Sequence, residues 1–304
     1  MVNYKKEIIE DFLSKKYQKE IKLQDVVSGM DSLVYSYNSG ETEYIIRINS
    51  KIEGFKKDEY AYNNFRNEII KIPKVIEYGS FFHDYYCISK KIKGVTFQDT
   101  DENKIEKLLP DIFKIMEEIN KFDIKNTTGY GVIDINTNNA FFKSWKDYLL
   151  DIFSNEYNWN LIYQKNYLDK SLLEEAILTF KSLLPSCKET RKLLHGDFGS
   201  NNVLVNNLKI TGIIDWDLAS YGDPLYEIAN AYFWSTWLLC MQKTVEYYQK
   251  HYNEQDNLDL INCYQLHIGL KELYENTLND NIKMCNWLQN RLKEILISIK
   301  NKKR

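Results

Sequence analysis

Residues 194–202 read Leu-His-Gly-Asp-Phe-Gly-Ser-Asn-Asn, which sets His195 two positions before Asp197 and Asn202 five positions after it. A second aspartate, Asp215, ends the apolar run Ile210-Thr211-Gly212-Ile213-Ile214 thirteen positions beyond Asn202. These types at these spacings are the parts needed to move a γ-phosphoryl group from a nucleotide to a hydroxyl. A carboxylate must accept or orient the hydroxyl proton, and that part falls to Asp197. Hard oxygen donors must hold Mg²⁺, which takes one or two protein ligands and keeps phosphate and water for its other positions. Asn202 and Asp215 are the expected donors. Val203-Leu204-Val205, a turn at Asn206-Asn207 and the run 210–214 read as a β-hairpin, whose two ends would bring these residues side by side. Singly, an Asp-x-x-x-x-Asn is turn chemistry and an Ile-Ile-Asp a strand end; as a set they read as catalytic. His195 reads as a hydrogen-bonded scaffold, because the hydroxyl needs only one acceptor.

Hydrophobic periodicity predicts the elements that must position these groups. Tyr4, Ile8, Ile9, Phe12 and Leu13 form the stripe of a surface helix, so the start reads as structure and not as a signal peptide. Strands are expected at 26–27, 33–37 and 44–48, the last two joined at Ser39-Gly40, then a helix over 55–70 and strands over 75–78 and 85–92. From Asp111 onward the pattern is largely helical, with Ile112, Ile115, Met116 and Ile119 on one face and Pro110 in a first helical turn. The expectation is an α+β chain: a β-rich N-lobe over 1–93, carrying a nucleotide-binding sheet with one helix, and a mostly helical C-lobe over 94–304, carrying the catalytic hairpin. The crossing falls at Lys93-Gly94.

Bulk properties exclude some classes. The 304 residues suffice for two lobes, and a net charge of -3 suggests neither a nucleic-acid nor a membrane-surface partner. Five cysteines, Cys87, Cys187, Cys240, Cys263 and Cys285, lack C-x-x-C spacing and read as buried thiols of a reducing cytoplasm. No apolar run reaches membrane-spanning length, and the final Lys-Asn-Lys-Lys-Arg reads as a frayed helix end. A cytoplasmic monomer is expected.

In the N-lobe, Arg47 lies mid-strand, where an inward guanidinium would meet nucleotide phosphates with its planar fork. The loop Ser28-Gly29-Met30-Asp31-Ser32 could cover phosphates with backbone N–H groups and the Ser32 hydroxyl, although it lacks G-x-G-x-x-G. Adenine would lie against the backbone of Ser89, Lys90, Lys91 and Ile92.

HGDFGSNNVL at 195–204 and ITGIIDWDLASYGDPLYEIANAYFWSTW at 210–237 resemble the aminoglycoside phosphotransferases. The likeness extends to YIIRINSKIEGFKKDEYAY at 44–62, IPKV at 72–75 and CISKKIKGVTFQD at 87–99, and fades over 126–190 and in the last few dozen residues. Residues 216–237 narrow it to the branch that acts on hygromycin B. The resemblance implies a bilobal protein-kinase-like fold, with ATP or GTP as donor and Mg²⁺ as cofactor. It also implies a cationic aminoglycoside as acceptor, hygromycin B at its 4-hydroxyl, with antibiotic resistance as the outcome. The wider superfamily generally has Lys where this chain has Arg47, and the family pattern, counted back 14 positions from Pro73, makes Glu59 its helical partner. A polycationic sugar calls for carboxylates, flat aromatic surface and few cations in its site. Asp217, Glu227, Glu272 and Glu275, with Trp234, Trp237 and Tyr274, are the candidates. Glu227 and Glu275 equally suit a helix surface, the tryptophans a core, and Asp223 before Pro224 a helix cap. The hygromycin branch carries a small neutral residue where this chain has Asp217. A kinase of a cellular metabolite such as choline or a pentose derivative, and a non-catalytic nucleotide- or drug-binding protein, remain as alternatives. A protein kinase is disfavoured because no A-P-E segment follows Asp215.

Overall fold

The computed structural model describes residues 4–26, 32–252 and 257–302. Its first elements are α1 (Lys6–Tyr17), β1 (Gln24–Asp25), β2 (Leu33–Ser39), β3 (Thr42–Asn49), α2 (Glu53–Asn64), β4 (Val75–Phe81), β5 (Asp84–Lys90) and β6 (Val95–Thr96). There follow α3 (Glu102–Asn120), β7 (Tyr130–Asp134), β8 (Asn139–Phe142), α4 (Trp145–Leu150), α5 (Trp159–Tyr163) and α6 (Lys170–Leu183). The catalytic stretch supplies β9 (Lys192–Leu194), β10 (Val203–Asn206), β11 (Lys209–Ile213) and β12 (Ser220–Gly222). Four helices end the chain: α7 (Leu225–Trp234), α8 (Leu239–His251), α9 (Leu258–Leu278) and α10 (Ile282–Lys302). The fold is α+β, an N-terminal antiparallel sheet followed by a mostly helical part. No helix among the described residues is long and apolar enough to cross a membrane.

Two compact units emerge. The first comprises Met1–Thr96 and Asn202–Asp217, the second Phe97–Asn201 and Leu218–Arg304. The hairpin therefore groups with the N-terminal unit and not with the C-terminal part to which the sequence reading assigned it. The cause is pairing, because β10 hydrogen-bonds to β6 on one side and β11 on the other. The I′-type turn between them holds Asn207 at φ 47° and Leu208 at φ 60°, one residue later than read from sequence.

In the first unit the sheet order is β1-β2-β3-β5-β4, antiparallel throughout. Alternation along β3 sends Ile46 and Ile48 into the cluster formed with Ile9 and Leu13 of α1, and Arg47 to the opposite face, over the Phe55 ring of α2. Helix α2 stops at Asn64, short of the expected 70. The Asn67 side chain accepts the N–H groups of Ile69 (2.8 Å) and Ile70 (2.7 Å), a local alternative to helical hydrogen bonding. Val27 of the expected first strand lies outside the described residues, and pairing forms at Gln24 and Asp25 instead.

The second unit holds the sheet β8-β7-β12-β9 and most of the helices. Pro110 lies inside α3, not at its start. Proline there costs about 3 kcal/mol, and the buried stripe Ile105, Leu108, Leu109, Ile112, Phe113, Ile115, Met116 and Ile119 offsets it. Helix α9 is buried on all sides from Leu260 to Leu270 by α6, α7 and α10, which fixes its C-terminal half in place. All five cysteines are buried and free, with Cys187 Sγ 3.5 Å from Cys263 Sγ.

Candidate active site

In the first unit, the paired ends of the hairpin place Asn202 beside Asp215. Val203 faces Ile213 across the ladder, and the Ile214 N–H donates to the Asn202 carbonyl at 2.9 Å. Asp215 adopts φ 63°, a left-handed conformation that non-glycine residues seldom hold without support. The support is Asp58 on α2: its Oδ1 accepts the Trp216 N–H at 3.0 Å, and its Oδ2 accepts Arg47 Nη2 at 2.5 Å. One buried carboxylate thus ties the Arg47 guanidinium to the loop bearing Asp215. The Trp216 ring, fully buried against Phe65, holds the loop from the other side.

Asp58 displaces Glu59 as the partner of Arg47. Glu59 instead accepts the Tyr78 hydroxyl at 3.1 Å. Burial would lower the pKa of Arg47, but Asp58 outweighs it and the guanidinium ends above its ordinary value. Asp215 goes the other way: partial desolvation first, then Asp58, push it up to about 6 against the pull of Arg47, and Asp217 adds to the rise. Its surroundings hold more negative than positive charge, and its carboxylate with the side-chain amide oxygen of Asn202 are hard oxygen donors of the kind that suit Mg²⁺. Among the described residues no group of three or more His, Cys, Asp or Glu could hold a metal ion. Replacing Asp58 with Asn should lower stability by roughly 3 kcal/mol, since it strands a buried guanidinium. Glu59→Gln should change it by less than about 0.5 kcal/mol. Urea unfolding of both variants checks this; equal losses would return Glu59 to the partner's place.

Asp217 also belongs to the first unit. Lys57 Nζ lies 3.0 Å from its Oδ1 and donates to its carbonyl at 2.6 Å, so the carboxylate proposed for substrate is taken by a lysine of α2. Of the residues expected around the nucleotide, 28–31 lie outside the described residues, and Ser32 accepts Asn49 Nδ2 at 3.0 Å. Ser89 is buried in β5 between β3 and β4. The N–H groups of Lys90 and Lys91 donate to Lys74 and Glu43 carbonyls, and Lys91 Nζ is ion-paired with Glu43, so these donors are already used inside the unit. Ile92 packs on the hairpin, where a Cβ on Gly212 would come within 2.6 Å of it.

In the second unit, β9 runs through Leu194 into the loop that carries Asp197. Gly196 makes the bend: its φ is 87°, and a Cβ there would lie 1.9 Å from the Leu218 carbonyl oxygen. His195 is buried, and its Nδ1 accepts the Asp197 N–H at 3.3 Å. Glu227, from α7, accepts the N–H groups of His195 (2.8 Å) and Gly196 (3.1 Å) through Oε1. At 2 % exposed it braces the loop through Oε1, while its buried Oε2 has no hydrogen-bond partner among the described residues. Burial first, and Asp197 with it, push its pKa up to about 7 against those two hydrogen bonds. Asp223 lies just before the N-cap Pro224 of α7, accepting the Leu225 N–H at 3.1 Å and the Tyr264 hydroxyl at 2.9 Å.

Helix α9 presents Glu272 and Glu275. Burial, then Glu275, raise Glu272 to about 7; Lys271 opposes, and the charge of Asp197 contributes. Tyr226, held up by burial, Tyr148 and Glu272, feels Asp197 as well. Around them stand aromatic rings, with Tyr148 5.0 Å from Trp145 and Tyr157 4.9 Å from Tyr274. Tyr274 itself is buried, its hydroxyl accepting the Asn158 N–H at 2.9 Å. Trp234 stacks at 5.1 Å on Trp287 of α10, and Trp237 meets the same ring edge-on at 4.9 Å while staying exposed.

Residues 22–257 match the Phosphotransferase enzyme family (APH). The chain belongs to this family. It is 32% identical over 292 residues, 95% of this chain and 85% of the relative, to a hygromycin-B 4-O-kinase of Escherichia coli. It is similar to a crystal structure of a thermostable mutant of the aminoglycoside phosphotransferase APH(4)-Ia in ternary complex with AMP-PNP and hygromycin B. There the TM-score is 0.88 and the identity 33%, over 95% of this chain and 98% of that one. A GDP complex of aminoglycoside 2'-phosphotransferase-IIIa shares the fold alone, with TM-score 0.69 and 15% identity over 97% and 99% of the two chains.

Family membership makes this chain a phosphotransferase, and the match ends one residue before α9. The α9 carboxylates therefore lie beyond the family-wide portion. Sequence reasoning missed Asp58, Lys57, Lys271, Tyr148, Tyr157 and Tyr226. A signal for Asp58 existed: Phe55, Asp58 and Ala61 make one buried stripe at helical spacing, from which Glu59 is displaced. Tyr148 and Tyr157 sit in the stretch where the family likeness fades.

Proposed function

We propose that this chain transfers the γ-phosphate of a nucleoside triphosphate to a hydroxyl of an aminoglycoside, hygromycin B at its 4-hydroxyl, and so confers resistance to it. The observation that carries the reading is the field joining Asp197 to Glu272 and Tyr226 in a setting of carboxylates and aromatic rings, the surface a cationic sugar requires. The similarity to a hygromycin-B 4-O-kinase over nearly the whole chain supports the choice of acceptor.

In this reading Asp197 takes the proton of the acceptor hydroxyl as its oxygen attacks the γ-phosphorus. The bond from that phosphorus to the β–γ bridging oxygen breaks, and a nucleoside diphosphate leaves. Arg47 steadies the phosphates, with Asp58 fixing its orientation. Asn202 and Asp215 would hold Mg²⁺, which supplies neutralisation of the phosphate charge. Glu227 keeps the Asp197 loop in shape. Glu272 and Glu275 receive substrate ammonium groups.

The test is mass spectrometry of hygromycin B, kanamycin, gentamicin, choline and a pentose after incubation with the protein, Mg²⁺ and ATP or GTP. A gain of one phosphate on hygromycin B is expected, together with drug tolerance in a susceptible bacterium. Modification of another acceptor while hygromycin B stays unmodified would refute the substrate assignment and leave the kinase assignment standing.

A further inference from the structure

Two of the five cysteines meet sulfur to sulfur inside the second unit. Cys187 ends the short 3₁₀ turn at Leu184–Ser186, its N–H donating to the Leu184 carbonyl at 3.0 Å, and Cys263 lies in the buried half of α9. Their Sγ atoms are 3.5 Å apart although 76 positions separate them in sequence. A disulfide holds its sulfurs at about 2.0 Å, so closure asks for an approach of about 1.5 Å. Cys87 Sγ instead lies 3.8 Å from Arg47 Nη2 and Cys285 Sγ 3.5 Å from Thr277 Oγ1; neither they nor Cys240 have a second thiol as partner among the described residues. Access to the pair is unequal. Cys263 is fully buried, whereas Cys187 sits between exposed Pro185 and Ser186 on one side and exposed Lys188 and Glu189 on the other. Local opening of that one turn brings a small neutral oxidant to its sulfur. A hydrogen bond from Cys263 outweighs burial and holds the Cys187 thiol below its ordinary pKa, so Cys187 is the sulfur to ionise first.

We propose that Cys187 and Cys263 form a site of reversible oxidation by a peroxide, closing to a disulfide that fastens the chain leading into β9 to α9 and stiffens the second unit. The Cys187 thiolate attacks one oxygen of hydrogen peroxide, the O–O bond breaks, and the departing hydroxide takes up the thiol proton as water, leaving a sulfenic acid. The Cys263 sulfur then attacks the sulfenic sulfur, and the released hydroxide leaves with the Cys263 proton as a second water. Two thiols are oxidised and one peroxide is reduced. The segment so tied is held at present by hydrogen bonds: Glu189 Oε2 accepts the Trp145 N–H at 2.6 Å, the Glu189 carbonyl accepts the Tyr130 hydroxyl at 3.0 Å, and Arg191 Nε donates to the Gly129 carbonyl at 2.6 Å. A covalent tie across so long a stretch of chain stabilises chiefly by restricting the unfolded state. This inference is independent of the acceptor.

The experiment treats the full chain with hydrogen peroxide and blocks the remaining thiols with iodoacetamide in denaturant. Non-reduced tryptic peptides are then mapped by mass spectrometry, and the melting temperature is followed in parallel. A Cys187–Cys263 peptide pair lighter by two hydrogens is expected, with the blockable thiols falling by two from five. Tm should rise by about 5–10 °C, and dithiothreitol should reverse both changes. Cys187→Ser and Cys263→Ser should each lose the cross-link and the peroxide-dependent rise; should one fail to fold, the other and the wild-type map decide. Peroxide that leaves all five thiols, stops at a sulfenic or sulfinic acid on Cys187, or joins another pair overturns the proposal. A Cys187–Cys263 bond that leaves Tm unchanged or lower overturns the stiffening.

Discussion

Asp197→Asn is expected to fold, to bind nucleotide, and to lower kcat by roughly a thousandfold, within the range a positioned general base contributes. The amide keeps the shape of the side chain and leaves the Asp197 N–H bond to His195 untouched, but it cannot take a proton. A second readout follows from the field around the loop. Asp197 helps raise Glu272 and Glu227, each to about 7. Removing its charge should let both fall, so acceptor binding should persist to lower pH in the variant than in wild type. A kcat above a tenth of wild type, about 1.4 kcal/mol in barrier, would dismiss Asp197 as the base.

What could be read from sequence had local causes, and what could not had causes elsewhere in the fold. Strands β2 and β3 were legible because alternation with a short turn specifies a hairpin by itself. The same alternation set Arg47 on the face opposite Ile46 and Ile48. The hairpin ends at Asn202 and Asp215 were legible for the same reason. Its grouping with the first unit was not, since that depends on pairing with a two-residue strand at Val95–Thr96. The partner of Arg47 went to Glu59 by counting along a family pattern, whereas the burial stripe of α2 selects Asp58. Asp217 was read as substrate surface because nothing in its own neighbourhood of sequence announces Lys57, 160 positions away. Helix α9 was hard to read for a related reason: buried on all sides from Leu260 to Leu270, it shows a polar side only in its last turns, at Glu272, Glu275 and Asn276.

Asp215→Asn should abolish phosphoryl transfer, with kcat lower by at least ~10² on losing a preorganised charge, and should at the same time make the protein more stable. The carboxyl's pKa rises from 3.8 to about 6 on folding, so the native state disfavours its charged form. For a carboxylate shifted upward the penalty is fully present above pH 6, declines as pH falls through 6, and is gone below 3.8. Asparagine carries no such penalty at any pH. Without metal or nucleotide, the Tm of the variant should therefore exceed that of wild type at pH 7.5, and the difference should close as the pH approaches 4. Because Asp215 keeps contact with solvent, the gain in Tm should be a few degrees and no more. Mg²⁺ with nucleotide should reverse the order, raising the wild-type Tm by binding the native state while leaving the variant little changed. Scanning calorimetry of both proteins across this pH range, with and without Mg²⁺ and a non-hydrolysable nucleotide, separates the two effects. A variant no more stable than wild type at pH 7.5 would mean that Asp58 and Asp217 do not burden Asp215. An equal Mg²⁺-dependent rise in both proteins would remove Asp215 from the metal site.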